Sequence, residues 1–205
     1  MRLPSLVILD LGGVVFDADF DRVFSSWGAK LALAKEAIRE RFRFDEQFGR
    51  FERGQISPQD YHLHIRTDLG IELSYEDFVS GWNAIYGDVF PEAQACLPLI
   101  RKRAKLVAFT NTNELHCQIW PEKYEDALAN FDEIYASSKI GLRKPEADGF
   151  QYVLNACGTR IEDALFLDDF APNVEAAKDF GLGAARVEDP RRIRELFTSL
   201  GVLDK

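Results

Sequence analysis

The chain has 205 residues, a formal net charge of −9, and a composition that is 46% hydrophobic and 12% aromatic. That length allows one ordinary domain with an insertion, and that composition supplies a sizeable core, which excludes a disordered chain. The acidic balance excludes nucleic acid and anionic membranes as partners, and no apolar run or basic leader indicates a span or secretion, so a cytoplasmic protein is expected.

Leu6, Val7, Ile8 and Leu9 form an apolar run without polar alternation. This is the pattern of a strand buried on both faces in the middle of a parallel sheet. The run ends at the carboxylate of Asp10, and Gly12 and Gly13 follow in a turn where backbone can approach a ligand closely. Ligands in open α/β sheets bind beyond the carboxyl ends of central strands, which would put Asp10 at a site. On this stretch alone, Asp10 reads equally well as the start of a glycine turn.

From Phe20 to about Tyr86 the periodicity is helical, with no strand expected. Phe20, Val23, Phe24, Trp27 and Leu31 recur at helix spacing, and Phe44, Phe48 and Phe51 mark a second stripe before Gly54. Ser57 and Pro58 read as an N-cap and first helical position, with Gly70 ending that helix. Ser74 and Asp77 form a capping box for a helix through Phe78, Trp82 and Ile85. Residues 18–89 therefore read as an α-helical insertion between two parts of a core, 1–17 and 90–205. The aromatic stripes are most simply core.

Pro91 opens a helix that runs into Arg101, Lys102, Arg103 and Lys105, cations suited to a helix C-terminus. The remaining strands are expected at Leu106–Phe109, Ile134–Ala136, Ala164–Leu167 and Gly183–Val187. Between them lie helices from about Asn113 to Trp120 (stopped by Pro121), through Phe150, Val153 and Leu154, and from Pro172 to Phe180 (ended by Gly181). A last helix follows Pro190. Strict alternation of strand and helix predicts an α/β fold with a doubly wound parallel sheet. Cys96, Cys117 and Cys157 have no metal spacing and no even framework, and His62, His64 and His116 read as surface or satisfied helix positions.

The strand ends carry the chemistry. Leu9 leads into Asp10, Phe109 into Thr110 and Asn111, and Leu167 into Asp168 and Asp169, so polar groups from three parallel strands gather at one sheet edge. Lys144 lies in the loop from Gly141 to Pro145, which leaves from the same edge. Singly, each has a plain explanation as a cap, a turn or a loop charge. Together they form a set for phosphoryl transfer. Asp10 with Asp168 or Asp169 offers the hard oxygens that Mg²⁺ prefers, Thr110, Asn111 and Lys144 hold phosphate oxygens, and Asp10 attacks phosphorus. No Walker A sequence or well-formed GxGxxG supports nucleotide cradling.

DLGGVV, TNTN, GLRKPE and LDD, in that order with a helical insertion after the first, resemble the four motifs of the haloacid dehalogenase superfamily of hydrolases across essentially the whole chain. Within it, FDADFDRV, FERGQIS and TNTNELHCQIWPEKY resemble the bacterial α-D-glucose-1-phosphate phosphatase group and the phosphatase domain of soluble epoxide hydrolases. The resemblance implies a Rossmann-like core with an inserted α-helical cap of the C1 type, and a Mg²⁺-dependent phosphatase of small phosphorylated metabolites such as α-D-glucose 1-phosphate. It implies Asp10 as nucleophile, Thr110, Asn111 and Lys144 as phosphate ligands, and Asp10, the Gly12 carbonyl, Asp168 and Asp169 as metal ligands. The partner expected is the substrate alone, with the chain a monomer.

One departure matters. Superfamily phosphatases usually carry a second Asp two residues after the nucleophile as general acid and base, and here that position is Gly12. Such catalysis is typically worth about 10²–10⁴-fold. Either a leaving oxygen that needs little protonation, as in an anomeric phosphate, or Asp17 or Asp19 would compensate; both Asp also read as hairpin or cap residues. The alternatives are a metal-independent 2-haloacid dehalogenase, against which the Asp168–Asp169 pair argues, and a non-catalytic ligand-binding member of the fold. Trp82, Asn83 and Arg53 are the candidates for contacting the leaving group from the cap.

Overall fold

The apolar run near the start forms β1 (Leu6–Leu9), all four residues fully buried. The computed structural model describes residues 3–204. After a turn come β2 (Phe16–Ala18) and the helical insertion, α1 (Phe20–Leu31), α2 (Lys35–Arg39), α3 (Glu46–Glu52), α4 (Pro58–Leu69) and α5 (Tyr75–Asn83). The chain returns through β3 (Tyr86–Val89), α6 (Pro91–Arg101) and β4 (Lys105–Thr110), then α7 (Glu114–Lys123), α8 (Glu125–Leu128), β5 (Glu133–Ala136), α9 (Ser137–Ile140) and α10 (Ala147–Cys157). It ends with β6 (Ala164–Asp168), α11 (Ala171–Asp179), β7 (Gly183–Arg186) and α12 (Ile193–Ser199).

Five strands form one parallel sheet in the order β5-β4-β1-β6-β7. Val7 and Leu9 face one apolar cluster, while Leu6 and Ile8 face another that contains Phe150, Val153 and Phe166, so both faces are covered. That is the doubly wound arrangement expected. The first cluster continues from the sheet into the insertion, where Trp27, Phe51, Tyr61, Phe78 and Trp82 are buried together. Because β4 and β6 flank β1 on opposite sides, the chain reverses direction beside β1, and the crevice there is where such sheets bind ligands.

The helix signals act as read. The Ser57 and Ser74 side chains accept from the N–H groups of Asp60 and Asp77 at 3.1 and 3.0 Å, and Gly70 closes α4 in the left-handed conformation at φ +63°. Two elements differ. Pro121 does not stop α7, which continues to Lys123 and is tied off by the Tyr124 N–H on the Trp120 carbonyl at 2.8 Å. A proline removes one helical donor and strains one turn, and here the flanking residues, with Trp120 and Tyr124 buried, hold the helix on course. The second difference is an antiparallel ribbon of β2 and β3 where no strand is expected. FDA and YGDV carry no alternation and contain Asp and Gly, which strands disfavour. Packing makes the ribbon: the Phe16 ring stacks on Tyr124 at 4.0 Å and meets Tyr86 edge-on at 5.4 Å. Among the described residues no helix is long and apolar enough to cross a membrane.

Candidate active site

Asp10 continues the line of β1 past its last residue. Its N–H donates to the Leu167 carbonyl at 2.9 Å, and its Oδ1 accepts the Leu11 N–H at 2.7 Å, so the strand end itself aims the carboxylate. Asp168, the last residue of β6, and Asp169 after it complete a trio whose ligand oxygens all lie within 4.8 Å of one another. Burial pushes the Asp10 carboxyl up to about 7, with Asp168 and Asp169 adding to the effect and Lys144 opposing it. Burial, and then Asp168, likewise raises Asp169 above the usual carboxylate range. Three oxygens that repel one another this way suit a hard divalent cation, and the trio contains no sulfur or imidazole ligand.

Lys144 is fully buried, with its Nζ 2.6 Å from Asp168 Oδ2 and 3.0 Å from Asp10 Oδ2. Burial acts to lower its pKa, but the two carboxylates outweigh it and hold the ammonium above the ordinary lysine value. The rings of Phe166 and Phe109 lie 5.5 and 5.7 Å away, within reach of a cation–π attraction. Asn111 places this lysine: its Nδ2 donates to the Lys144 carbonyl at 2.8 Å and its Oδ1 accepts the Lys144 N–H at 2.9 Å. The amide expected to hold phosphate is thus turned to the lysine's main chain. Thr110, the last residue of β4, is 3% exposed and borders the same cleft.

Asp168 and Asp169 separate in role. Asp168 Oδ2 accepts from both Lys144 and Asn173 (3.0 Å), and Oδ1 from the Phe170 N–H at 2.8 Å, so its oxygens face protein donors. Asp169 instead lies against Gly13. A Cβ on Gly13 would fall 2.3 Å from Asp169 Oδ2, and the φ there is +75°. Gly12 is different, because a Cβ there would meet only the Ala18 Cβ at 3.2 Å, a contact that a small shift accommodates.

A cleft of about 430 Å³ opens above these groups, bordered by Asp10, Gly12, Thr110, Asn111, Lys144 and Asp169 on the sheet side. A larger cleft, about 660 Å³, lies between α3–α4 and α7 but includes none of the strand-end carboxylates. Of the insertion candidates, Trp82 borders the smaller cleft while 1% exposed, whereas Arg53 and Asn83 do not border it. Arg53 instead pairs with Glu146 of the lysine loop. Sequence reasoning missed Glu52 and Arg143, while His116 is the satisfied helix position it was read as. Glu52 is 7% exposed and sits 2.7 Å from Arg143, and burial pushes its carboxyl up to about 7 despite that partner. A glutamate four residues after Phe48, on the apolar stripe of α3, was the available signal. His116 is buried with both ring nitrogens engaged, by Asn113 at 3.0 Å and the Trp82 carbonyl at 3.1 Å, and burial lowers its pKa to about 4.

A family model described as haloacid dehalogenase-like hydrolase matches residues 4–181. The chain is 24% identical over 199 residues to the D-ribitol-5-phosphate phosphatase of Bacteroides thetaiotaomicron, an alignment covering 94% of this chain and 96% of that protein. It is 30% identical over 149 residues to a sesquiterpene phosphatase of Aspergillus oryzae, covering 70% and 74%. Its structure is similar to that of a HAD family enzyme from Bacteroides thetaiotaomicron in complex with magnesium and inorganic phosphate, with a TM-score of 0.76, 25% identity, and coverage of 89% and 93%.

Proposed function

Because the chain belongs to the haloacid dehalogenase-like hydrolase family, we propose that it is a Mg²⁺-dependent phosphatase that acts on a small phosphorylated metabolite through a phosphorylated Asp10. The observation that carries this reading is the trio of carboxylates within 4.8 Å at one sheet edge, bridged in part by a buried lysine. A metal-free site for halocarboxylates gains nothing from two further negative charges beside its nucleophile.

Asp10, Asp169 and the Gly12 carbonyl would hold the ion, with Asp168 behind them. Bound there, Mg²⁺ offsets carboxylate charge so that an anionic phosphate can approach an anionic nucleophile. Lys144, 3.0 Å from Asp10, favours the ionised nucleophile at neutral pH. Asp10 attacks phosphorus as the bond to the leaving oxygen breaks, and water then attacks the phosphorylated Asp10, releasing inorganic phosphate and restoring the carboxylate. The Thr110 hydroxyl and the Lys144 ammonium hold phosphate oxygens as charge shifts. Asn111 acts one step back, by seating Lys144.

The leaving oxygen gets no proton from Gly12. Asp17 is ion-paired with Arg22 at 2.7 Å and Asp19 caps α1 through the Asp21 N–H at 2.9 Å, and neither borders the cleft, so these two do not replace the missing acid. A leaving oxygen that needs little protonation is one compensation, and the anomeric oxygen of α-D-glucose 1-phosphate is such an oxygen. The relatives divide on the rest of the substrate, one acting on ribitol 5-phosphate and the other being a sesquiterpene phosphatase. One chain supplies every residue of the site, so a monomer suffices.

The test is phosphate release from p-nitrophenyl phosphate and a panel of sugar phosphates with Mg²⁺, with Asp10→Asn as control. Activity that vanishes in EDTA and falls at least about 10³-fold in Asp10→Asn is expected. Turnover of 2-chloropropionate that survives EDTA would replace the reading with a dehalogenase, and no release from any ester would leave a ligand-binding member of the fold.

A further inference from the structure

We propose that Glu52, brought to the 430 Å³ cleft by the helical insertion, is the general acid and base of the reaction: it protonates the leaving oxygen as Asp10 attacks, then deprotonates the water that frees the phosphate. This rests on the phosphatase reading above and fills the place that Gly12 leaves open.

In phosphoryl transfer the attacking and leaving oxygens stand roughly in line, on opposite sides of phosphorus. Asp10 attacks from the sheet edge, so the leaving oxygen points towards the insertion, and its proton donor must stand there. Glu52 closes α3 one turn after Phe48, and both border the cleft, so one face of that helix is turned to it. Three residues with carboxyl groups border this cleft among the described residues, Asp10 and Asp169 at the sheet edge and Glu52 from the insertion. Water that attacks phosphorylated Asp10 enters on the side the leaving group has vacated, so one group serves both steps.

The surroundings of Glu52 suit both roles. It is 7% exposed, and Arg143 Nη2 lies 2.7 Å from its Oε2. Yet Oε2 makes no hydrogen bond, and neither does Arg143 Nε, so the contact is one of charge with polar capacity left on each side. Burial holds the carboxyl up at about 7 against the opposing pull of Arg143, Lys144 and Arg53, so both protonation states are populated near neutrality. Arg143 stands ready to stabilise the carboxylate formed when the proton leaves.

The other ionisable groups on the cleft are committed elsewhere. Lys144 is held by two carboxylates that keep its ammonium above the ordinary lysine value. His116 has both ring nitrogens engaged, and burial lowers it to about 4, so its ring is neutral at pH 7. Burial pushes the Tyr86 hydroxyl above the ordinary tyrosine value. Asp169 lies against Gly13 at the sheet edge, on the nucleophile's side of phosphorus.

As Asp10 bonds to phosphorus, the bond to the ester oxygen breaks, and that oxygen takes the Glu52 proton and leaves as a neutral alcohol. The Glu52 carboxylate then takes a proton from water as the water oxygen attacks phosphorus. The bond between Asp10 and phosphorus breaks, and inorganic phosphate leaves with Glu52 protonated again.

The test varies the leaving group. kcat/KM is measured with Mg²⁺ for p-nitrophenyl, phenyl and benzyl phosphate, on the parent, Glu52→Gln and Glu52→Asp. Nitrophenolate leaves without a proton, whereas the benzyl oxygen needs one. The parent should hydrolyse all three esters. In Glu52→Gln the p-nitrophenyl-to-benzyl ratio should rise by at least about 10²-fold, and Glu52→Asp should restore part of the loss. The ratio does not depend on the fraction folded, so a merely structural role would lower all three esters alike. Should Glu52→Gln fail to fold, the ratio in Glu52→Asp, expected to rise by a smaller factor, decides in its place. An unchanged ratio, or a parent that cleaves p-nitrophenyl phosphate but not benzyl phosphate, overturns the inference. The phosphatase reading fails separately, if the parent releases phosphate from none of the esters.

Discussion

Gly13→Ala isolates the seat of Asp169. Gly13 has φ +75°, a left-handed conformation that costs an alanine about 1–2 kcal/mol. The new Cβ would also lie 2.3 Å from Asp169 Oδ2 and 2.5 Å from its Cγ, so the carboxylate must swing away. Strain alone lowers Tm by about 2–8 °C in a chain of this size. If Asp169 holds the metal as proposed, displacing its carboxylate should raise the Mg²⁺ concentration for half-saturation by at least the ~10–100-fold typical of a lost outer-shell partner. Gly70→Ala is the control. Gly70 has φ +63° and nothing within 4 Å of its would-be Cβ, so it carries the strain without the clash. The assay is thermal unfolding together with a Mg²⁺ titration of p-nitrophenyl phosphate hydrolysis for both variants. Similar losses of Tm, with the Mg²⁺ curve shifted only in Gly13→Ala, are expected. If the two variants shared one unshifted Mg²⁺ curve, Asp169 would not be a ligand and the division of labour between Asp168 and Asp169 would be wrong.

Two further expectations concern pH. Burial raises Glu52 to about 7 in the folded protein from an ordinary 4.5, so between those values the native state holds the extra proton and stability falls as pH rises. Glu52→Gln should therefore flatten the pH dependence of the urea midpoint between pH 4.5 and 7, a difference of up to about 3 kcal/mol; an unchanged slope would mean that Arg143 fully compensates the burial. His116 works at the other end of the scale, lowered to about 4 from 6.5, so the unfolded chain takes the proton first and stability falls as pH drops from 6.5 towards 4. His116→Gln should make that acid limb shallower by up to about 3 kcal/mol, read from denaturation at pH 7 and 4.5. A limb as steep as the parent's would assign the acid sensitivity to other groups.

The sheet edge was legible because each of its three central strands holds an apolar run that ends at a polar residue. LVIL before Asp10 and LFL before Asp168 say both that the strand is central and where it stops. The β2–β3 ribbon was not, since what stabilises it is the stacking of Phe16 on Tyr124, more than a hundred positions away in the chain. Phe44 departs from its reading for a related reason. The spacing of Phe44, Phe48 and Phe51 reads as one helical stripe, but α3 starts at Glu46 behind its Asp45 cap, so Phe44 stands in the preceding loop, 64% exposed, while Phe48 on the helix is 7% exposed. Periodicity suggests which residues share a face; it does not tell where the helix begins.

Pairing between distant charges was equally invisible, and it changes how the site works. Glu52 and Arg53 at the end of α3 pair with Arg143 and Glu146, which bracket Lys144 in its loop. Asn111 holds the main chain of the same lysine from the end of β4. The loop is therefore gripped by the insertion on either side of the lysine and by the sheet at the lysine itself. Since the Lys144 ammonium sits 3.0 Å from the Asp10 carboxylate, any movement that parts α3 from this loop also loosens the hold on the cation beside Asp10. Seating the insertion and setting the charge on Asp10 are, in this arrangement, parts of one equilibrium.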